Sequence, residues 1–385
     1  MAHINYPIFK SAIRKLHPSY FALVMGTGIV SIAFNTLGYS MLAYGLFYLN
    51  IGLYLILSGM AFSRLLFFPQ DFITDIREPR HSWPYLTFIV GNNTIGAQFL
   101  IFWHATDLTW ILWGLGFFFW IAFTYFILFS LVIRRQTDIK DTIDGAILLV
   151  IVSTASVALL GVPLTDTLVA NAPAFFFGMW SFWAVSLVLY LIIITCVFYR
   201  KLSRDFEPQD WNGSYWICMG AVAIVSLTGT ELVHYMADKP AWEHFRDPTV
   251  ILTCIAWAIG TWWIPYQIIM DIWSLTRVNL DVPATGWIRL FPWSRLAFGV
   301  KTHRYKPSDW ARVFPMGMYT ACTLGIAHMT GLTFLEKIPQ IWSWLALLIW
   351  GLTFIGLLRS AYSGLLRNDL SDTRFVIDTN FPDPS

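Results

Sequence analysis

Apolar residues gather into ten long stretches separated by shorter polar or charged ones. They cover roughly 18–37, 41–67, 85–105, 108–134, 142–161, 173–200, 211–236, 248–275, 309–330 and 339–366. Each is close to the ~20 residues a helix needs to cross the hydrocarbon of a bilayer. The links after the odd stretches are short: 38–40, 106–107, 162–172, 237–247 and 331–338. Links of that size join antiparallel neighbours. The pattern predicts an all-α polytopic membrane protein, a single transmembrane domain of ten helices arranged as five hairpins.

The odd and even stretches differ in what interrupts them. The first, from His17 to Phe34, carries Gly26, Thr27, Gly28 and Ser31. The third carries Asn92, Asn93, Thr94 and Gln98, and the fifth Ser153, Thr154 and Ser156. The seventh has Ser226, Thr228 and Thr230, and the ninth Tyr319, Thr320 and Thr323. Tryptophan does the opposite. Trp120, Trp180, Trp183, Trp257, Trp262, Trp263 and Trp350 lie deep in even stretches, although the second stretch has none. Small polar residues suit a helix facing water or a close neighbour, and bulky aromatics suit lipid. The alternation predicts an inner ring of odd helices inside an outer ring of even ones, with a solute path on the axis. The competing reading is that the hydroxyls bond carbonyls of their own helices. Pro315 and Pro265 fall inside spans and Pro163 just past one; a proline within a span frees a carbonyl that protein or a cavity must satisfy.

Charge adds orientation. Of the 25 Lys and Arg, 22 lie before the first stretch, at or beyond the ends of even stretches, or at the start of the ninth. Only Lys239, Arg246 and Lys337 lie in hairpin links. The positive-inside rule then places both termini in the cytoplasm, in what is expected to be the plasma (inner) membrane. The longest link, Thr276 to Ser308, mixes Trp287, Phe291 and Trp293 with Arg289 and Arg295. It reads as an interfacial segment.

Composition excludes a soluble protein: 57% of the 385 residues are hydrophobic and 12% charged, with mean hydropathy +0.59. A net charge of +2 gives no footprint for nucleic acid. Cys196, Cys218, Cys254 and Cys322 sit in apolar stretches without metal-ligand spacing and read as free buried thiols. The N-terminus carries no signal-peptide pattern. No nucleotide-binding loop is present, which argues against an ATP-driven pump. No cofactor or metal is expected.

The sequence His17-Pro18, then Phe21, then Val24-Met25-Gly26-Thr27-Gly28-Ile29 resembles the opening helix of the tellurite-resistance/dicarboxylate transporter family. Trp262-Trp263-Ile264-Pro265 and Phe314-Pro315 resemble its eighth and ninth helices. That family includes malic-acid transporters, sulfite exporters, bacterial tellurite-resistance proteins and plant slow anion channels. The resemblance implies quasi-fivefold hairpins, a pore lined by the odd helices, a homotrimer, and a phenylalanine plug at the position of Phe314. The alternative for Phe314 is an ordinary packed aromatic.

The chemistry expected along the axis follows. Thr27, Ser31, Asn92, Asn93, Gln98, Ser153, Thr154, Ser226, Thr228, Tyr319, Thr320 and Thr323 are the candidate lining. For the amides, hydrogen bonding between packed helices is the alternative. Glu231 and His234 form E-x-x-H near the outer end of the seventh stretch, where ionisable groups are costly and default to function. They are candidates for taking up a proton with an anionic substrate; a solvated pair at the mouth is the other reading. A single E-x-x-H is too little for a di-metal enzyme site. His104 and His328 sit at the same end. Arg64, Arg312 and Arg359 lie at the opposite end and satisfy the positive-inside rule. The expected function is transport of small anions, C4-dicarboxylates such as malate first, with a channel or exporter for chloride, nitrate or sulfite as alternative.

Overall fold

The computed structural model describes residues 6–78, 82–133, 144–168, 171–203, 206–278 and 305–366. These form twelve α-helices and, among the described residues, no strand. Two are short: α1 (Tyr6–Arg14) and α4 (Pro69–Arg77). Ten are long: α2 (Phe21–Thr36), α3 (Ser40–Phe67), α5 (Leu86–Trp103), α6 (Thr106–Ile133), α7 (Leu149–Leu164), α8 (Ala172–Leu202), α9 (Ile217–Met236), α10 (Glu243–Val278), α11 (Trp310–Thr330) and α12 (Lys337–Leu366). Among the described residues, nine of the long helices are long and apolar enough to cross a membrane. The exception is α11, whose Pro315, Tyr319, Thr320, Thr323 and His328 make it too polar on composition alone. The chain is an integral membrane protein. The interfacial link expected between α10 and α11 falls mostly on residues 279–304, outside the described residues.

Five helices close a ring. Helix α2 packs on α5, α5 on α7, α7 on α9, α9 on α11, and α11 back on α2. Each is paired with the helix that follows it, and each follower also touches the next inner helix: α3 touches α5, α6 touches α7, α8 touches α9, α10 touches α11 and α12 touches α2. The inner members α2, α5, α7 and α9 are 72–89% buried over their apolar windows, against 11–33% for α3, α6, α8, α10 and α12. The two-ring arrangement is therefore present, with the less buried helices on the outside. Cys196 lies exposed on α8, and Cys254 is half-buried, so only Cys218 and Cys322 are buried thiols; all four are free.

Each inner helix begins with a 3-10 turn: Pro18–Tyr20, Trp83–Tyr85, Gly145–Leu148, Gly213–Trp216 and Pro307–Asp309. These turns touch in the same cyclic order and make a second closed ring at one end of the bundle. Side chains cap them: His17 Nδ1 accepts from the Ser19 N–H, Asp144 from Ala146 and Asn212 from Ser214. Such caps satisfy the orphan donors of a helix start. They also explain why α7 and α9 begin six or seven residues later than the hydropathy pattern predicts. Pro163 lies inside α7 rather than beyond it.

At the same end Arg64 is almost fully buried. Its guanidinium donates to the carbonyls of Arg14 and Leu16, to the Tyr85 hydroxyl and to Asp75. Arg14 in turn pairs with Asp71. This knot holds α1 and α4 against the bundle, which assigns Arg64 a structural task. At the other end the hairpins turn sharply. Gly38, Gly331 and His104 have positive φ (86°, 72° and 50°), the left-handed region where glycine carries no Cβ penalty.

The ring of turns predicts a test. A Cβ on Gly145 would lie 2.4 Å from the Ser214 carbonyl oxygen, a backbone atom that cannot step aside. Gly145→Ala is expected to destabilise by about 1–3 kcal/mol. Gly178→Ala, which meets nothing within 4 Å, should leave thermal stability in detergent unchanged.

Candidate functional site

The axis of the inner ring is defined by what each helix face touches. On α9, the Thr228 hydroxyl reaches the Ala155 carbonyl of α7, Gly229 backs onto Thr253 of α10, and Thr230 backs onto Gly325 of α11. At 100° per residue these three contacts leave Ile224, Leu227 and Glu231 on the fourth face at this level of the helix, while nearer its start the same face meets Pro315 of α11 at Gly220. On α2, Gly26 meets Val313 and Phe314 of α11, Thr27 meets Trp350 of α12, and Gly28 meets Thr94 and Gln98 of α5. The remaining face carries Met25, Ile29 and Ile32, with Ile29 leaning onto Gly317 of α11. The same construction puts Val90 and Ala97 of α5, Val152 and Leu159 of α7, and Phe314 and Ala321 of α11 on the axis.

This axial face is apolar and closed in its middle. Met25, Ile29, Val90, Val152, Ile224 and Phe314 are all at most 2% or 3% exposed. Toward the hairpin tips burial relaxes: Ile32, Ala97, Leu159, Leu227 and Gly325 are half-buried, one on each inner helix, while their neighbours in sequence are buried. Beyond them Glu231 is half-buried and His234 and His328 are exposed. The axis therefore opens as a mouth at that end, and Glu231 faces it.

Phe314 sits deeper, where α11 is gripped on two sides. A Cβ on Gly26 would be 3.0 Å from Val313, and a Cβ on Gly220 of α9 would be 2.7 Å from Pro315. Pro315 has no N–H, which releases the Ala311 carbonyl from its helical bond. A bulky ring thus lies against the axis on a locally loosened helix.

The polar residues expected to line the path look the other way. Trp350 of α12 donates its indole N–H to Thr27 Oγ1, Trp120 of α6 to Thr154 Oγ1, and Trp257 of α10 to Thr323 Oγ1, each at 2.9 Å. Tyr319 bonds Thr261 of α10 at 3.0 Å. Gln98 accepts from Asn50 of α3, and Asn92 accepts from Tyr54 of α3 and donates to the Leu112 carbonyl of α6. Asn93 donates to Ser156 of α7. Ser31 donates to the Ala43 carbonyl of α3. Ser153, Ser226, Thr228 and Thr320 return to carbonyls of their own helices. The structure thus brings Thr27, Ser31, Asn92, Asn93, Gln98, Thr154, Thr228, Tyr319 and Thr323 to helix–helix seams, while Ser153, Ser226 and Thr320 bond only within their own helices.

The remaining candidates separate. Arg312 pairs with Asp271 of α10 and with Asp309, and Asp271 also accepts from the indoles of Trp211 and Trp216. Arg359 is exposed on α12. His104 is the left-handed cap of α5. Among the described residues no group of three or more His, Cys, Asp and Glu gathers as for a metal ion.

Residues 15–358 match the profile of the family described as voltage-dependent anion channel. A protein of Methanocaldococcus jannaschii described as an uncharacterized transporter is 24% identical over 368 residues, 91% of this chain and 95% of its own length. An uncharacterized membrane protein of Mycobacterium tuberculosis is 30% identical over 170 residues, 44% of this chain and 75% of its own. A sulfite efflux pump of Trichophyton rubrum is 24% identical over 357 residues, 89% of this chain and 90% of its own.

The seams carry a prediction. Thr154→Val keeps the shape but leaves the Trp120 N–H without an acceptor, and is expected to lower stability by about 1–3 kcal/mol. Adding Trp120→Phe should recover part of that loss in the same melting assay, because the orphaned donor is then gone.

Proposed function

Because the chain belongs to the voltage-dependent anion channel family, the tellurite-resistance/dicarboxylate transporter family of the resemblance, we propose that it moves small anions along the axis of its inner ring. The observation that carries this reading is the axial face itself. Among the described residues it has no Lys or Arg, it is apolar through its middle, and Phe314 lies against it. A path without a fixed cation does not hold an anion tightly, and a narrow apolar stretch closes by shedding water. Phe314 is the gate in this reading. Thr27, Ser31, Asn92, Asn93, Gln98, Ser153, Thr154, Ser226, Thr228, Tyr319, Thr320 and Thr323 frame the path from behind, fixing the inner helices while the backbone and apolar side chains line it.

A small inorganic anion of the sulfite kind fits best. Malate carries two carboxylates, and nothing on the axial face pairs with either; the fungal relatives are described as sulfite efflux pumps. The C4-dicarboxylate reading rests on the first-helix motif and is the alternative. In this proposal the protein is a transporter rather than an enzyme, works as a homotrimer in the plasma (inner) membrane, has both termini in the cytoplasm, and uses Glu231 and His234 for proton coupling.

The test is uptake of radiolabelled sulfite, chloride and malate into liposomes holding the purified protein. Phe314→Ala is expected to raise sulfite and chloride flux severalfold. Unchanged flux in a folded variant would move the gate elsewhere; malate uptake exceeding sulfite would restore the dicarboxylate reading.

A further inference from the structure

Glu231 is the one acidic residue placed on the axial face among the described residues of the inner helices. Its neighbours fix that placement: Thr228 turns to α7, Gly229 to α10 and Thr230 to α11. It is half-buried where the axis opens. Among the described residues it makes no hydrogen bond or ion pair. A carboxylate is a poor choice for the mouth of an anion path, since its charge repels what must pass.

We propose that Glu231 is a charge filter: ionised, it holds back anions, dianions most of all; protonated, it admits them. The proposal rests on the anion-conduit reading and assigns that path its selectivity and its regulation. A unit charge roughly 8 Å from the passing ion, at an effective dielectric of about 40 between bulk water and the protein interior, costs a monoanion about 1 kcal/mol and lowers its local concentration by about fivefold, and that of a dianion by about the square of this factor. The filter therefore prefers monovalent anions at neutral pH and loosens as the mouth is acidified.

The charged groups around it are few. His234 lies one turn on along α9, and His328 projects from α11 at the same end. Asp166, after α7, is neutralised by Lys239 at 3.3 Å. Glu243, His244, Arg246 and Asp247, at the start of α10, are exposed, and the first half of α8 carries no Asp, Glu, His, Lys or Arg. The two histidines lie at the same mouth as Glu231, so the pH dependence must be assigned to the carboxyl by experiment. A substitution separates them.

The experiment is flux of radiolabelled chloride and sulfate, whose charges do not change over pH 5–8, into liposomes holding the full chain. Wild-type chloride flux is expected to fall about fivefold across that range, and sulfate flux more steeply. Glu231→Gln should stay near the acid-limit flux at all pH and should narrow the chloride-to-sulfate ratio; Glu231→Asp should keep the pH profile. A Glu231→Gln protein that retains the wild-type pH profile, or a wild type with flat flux, would overturn the filter. No anion flux at any pH from wild type or Phe314→Ala would instead sink the conduit reading.

Discussion

An indole N–H inside a bilayer has no water to bond, so it must find an acceptor within the protein. That constraint joins the two rings. Trp120 of α6 reaches Thr154 of α7, Trp257 of α10 reaches Thr323 of α11, and Trp350 of α12 reaches Thr27 of α2. Trp183 and Tyr190 of α8 reach the Val225 and Cys218 carbonyls of α9. Helix α3 has no Trp, and Asn50 and Tyr54 replace it, bonding Gln98 and Asn92 of α5. In all five places an outer helix bonds the inner helix of the next hairpin. Hairpins fold locally through their short links; these bonds are what fasten one hairpin to another.

Close approach of the inner helices is a second consequence of sequence. Without an oil–water difference to drive association, membrane helices gain by packing backbones closely. Gly26 and Gly317 bring α2 against α11, Gly91 brings α5 against α2, and Gly96 brings α5 against α7. With the capped 3-10 turns touching in the same order, the ring is tied at its base and tight along its length. What remains for the axis is the face that no neighbour needs, and on every inner helix that face is mainly aliphatic.

Much of this was legible in the order of residues. The all-α polytopic class, the hairpin pairing and the two rings correspond to structure, and nine of the described helices are long and apolar enough to span, because bilayer thickness and the need to satisfy polar groups write themselves into composition. The direction of the polar side chains was not legible. A threonine in a membrane helix is equally at home facing water or an indole, and one helix read alone cannot distinguish them. The discriminating signal was present as a correlation: deep Trp residues in even stretches accompany Thr in the following odd one, and where Trp is missing, Asn50 and Tyr54 stand in. The starts at Pro18-Ser19-Tyr20, Trp83-Pro84-Tyr85 and Gly213-Ser214-Tyr215 repeat in three of the five inner helices, whereas Gly145–Leu148 and Pro307–Asp309 do not carry the same residues. The axial position of Glu231 was not legible, since it depends on which neighbours Thr228, Gly229 and Thr230 meet.

This division of labour bears on how the path opens. The hydrogen bonds that hold the rings together lie on the outward and lateral faces, whereas the groups that close the axis are apolar side chains with no bonds to break. In the gating proposed above, Phe314 swings aside while Trp257–Thr323 and Thr261–Tyr319, on the far side of the same helix, stay bonded. A gate built from rotamers costs far less than one built from helix movement in a packed interior. In that proposal the polar groups on the seams hold the scaffold, and the apolar lining is what has to move.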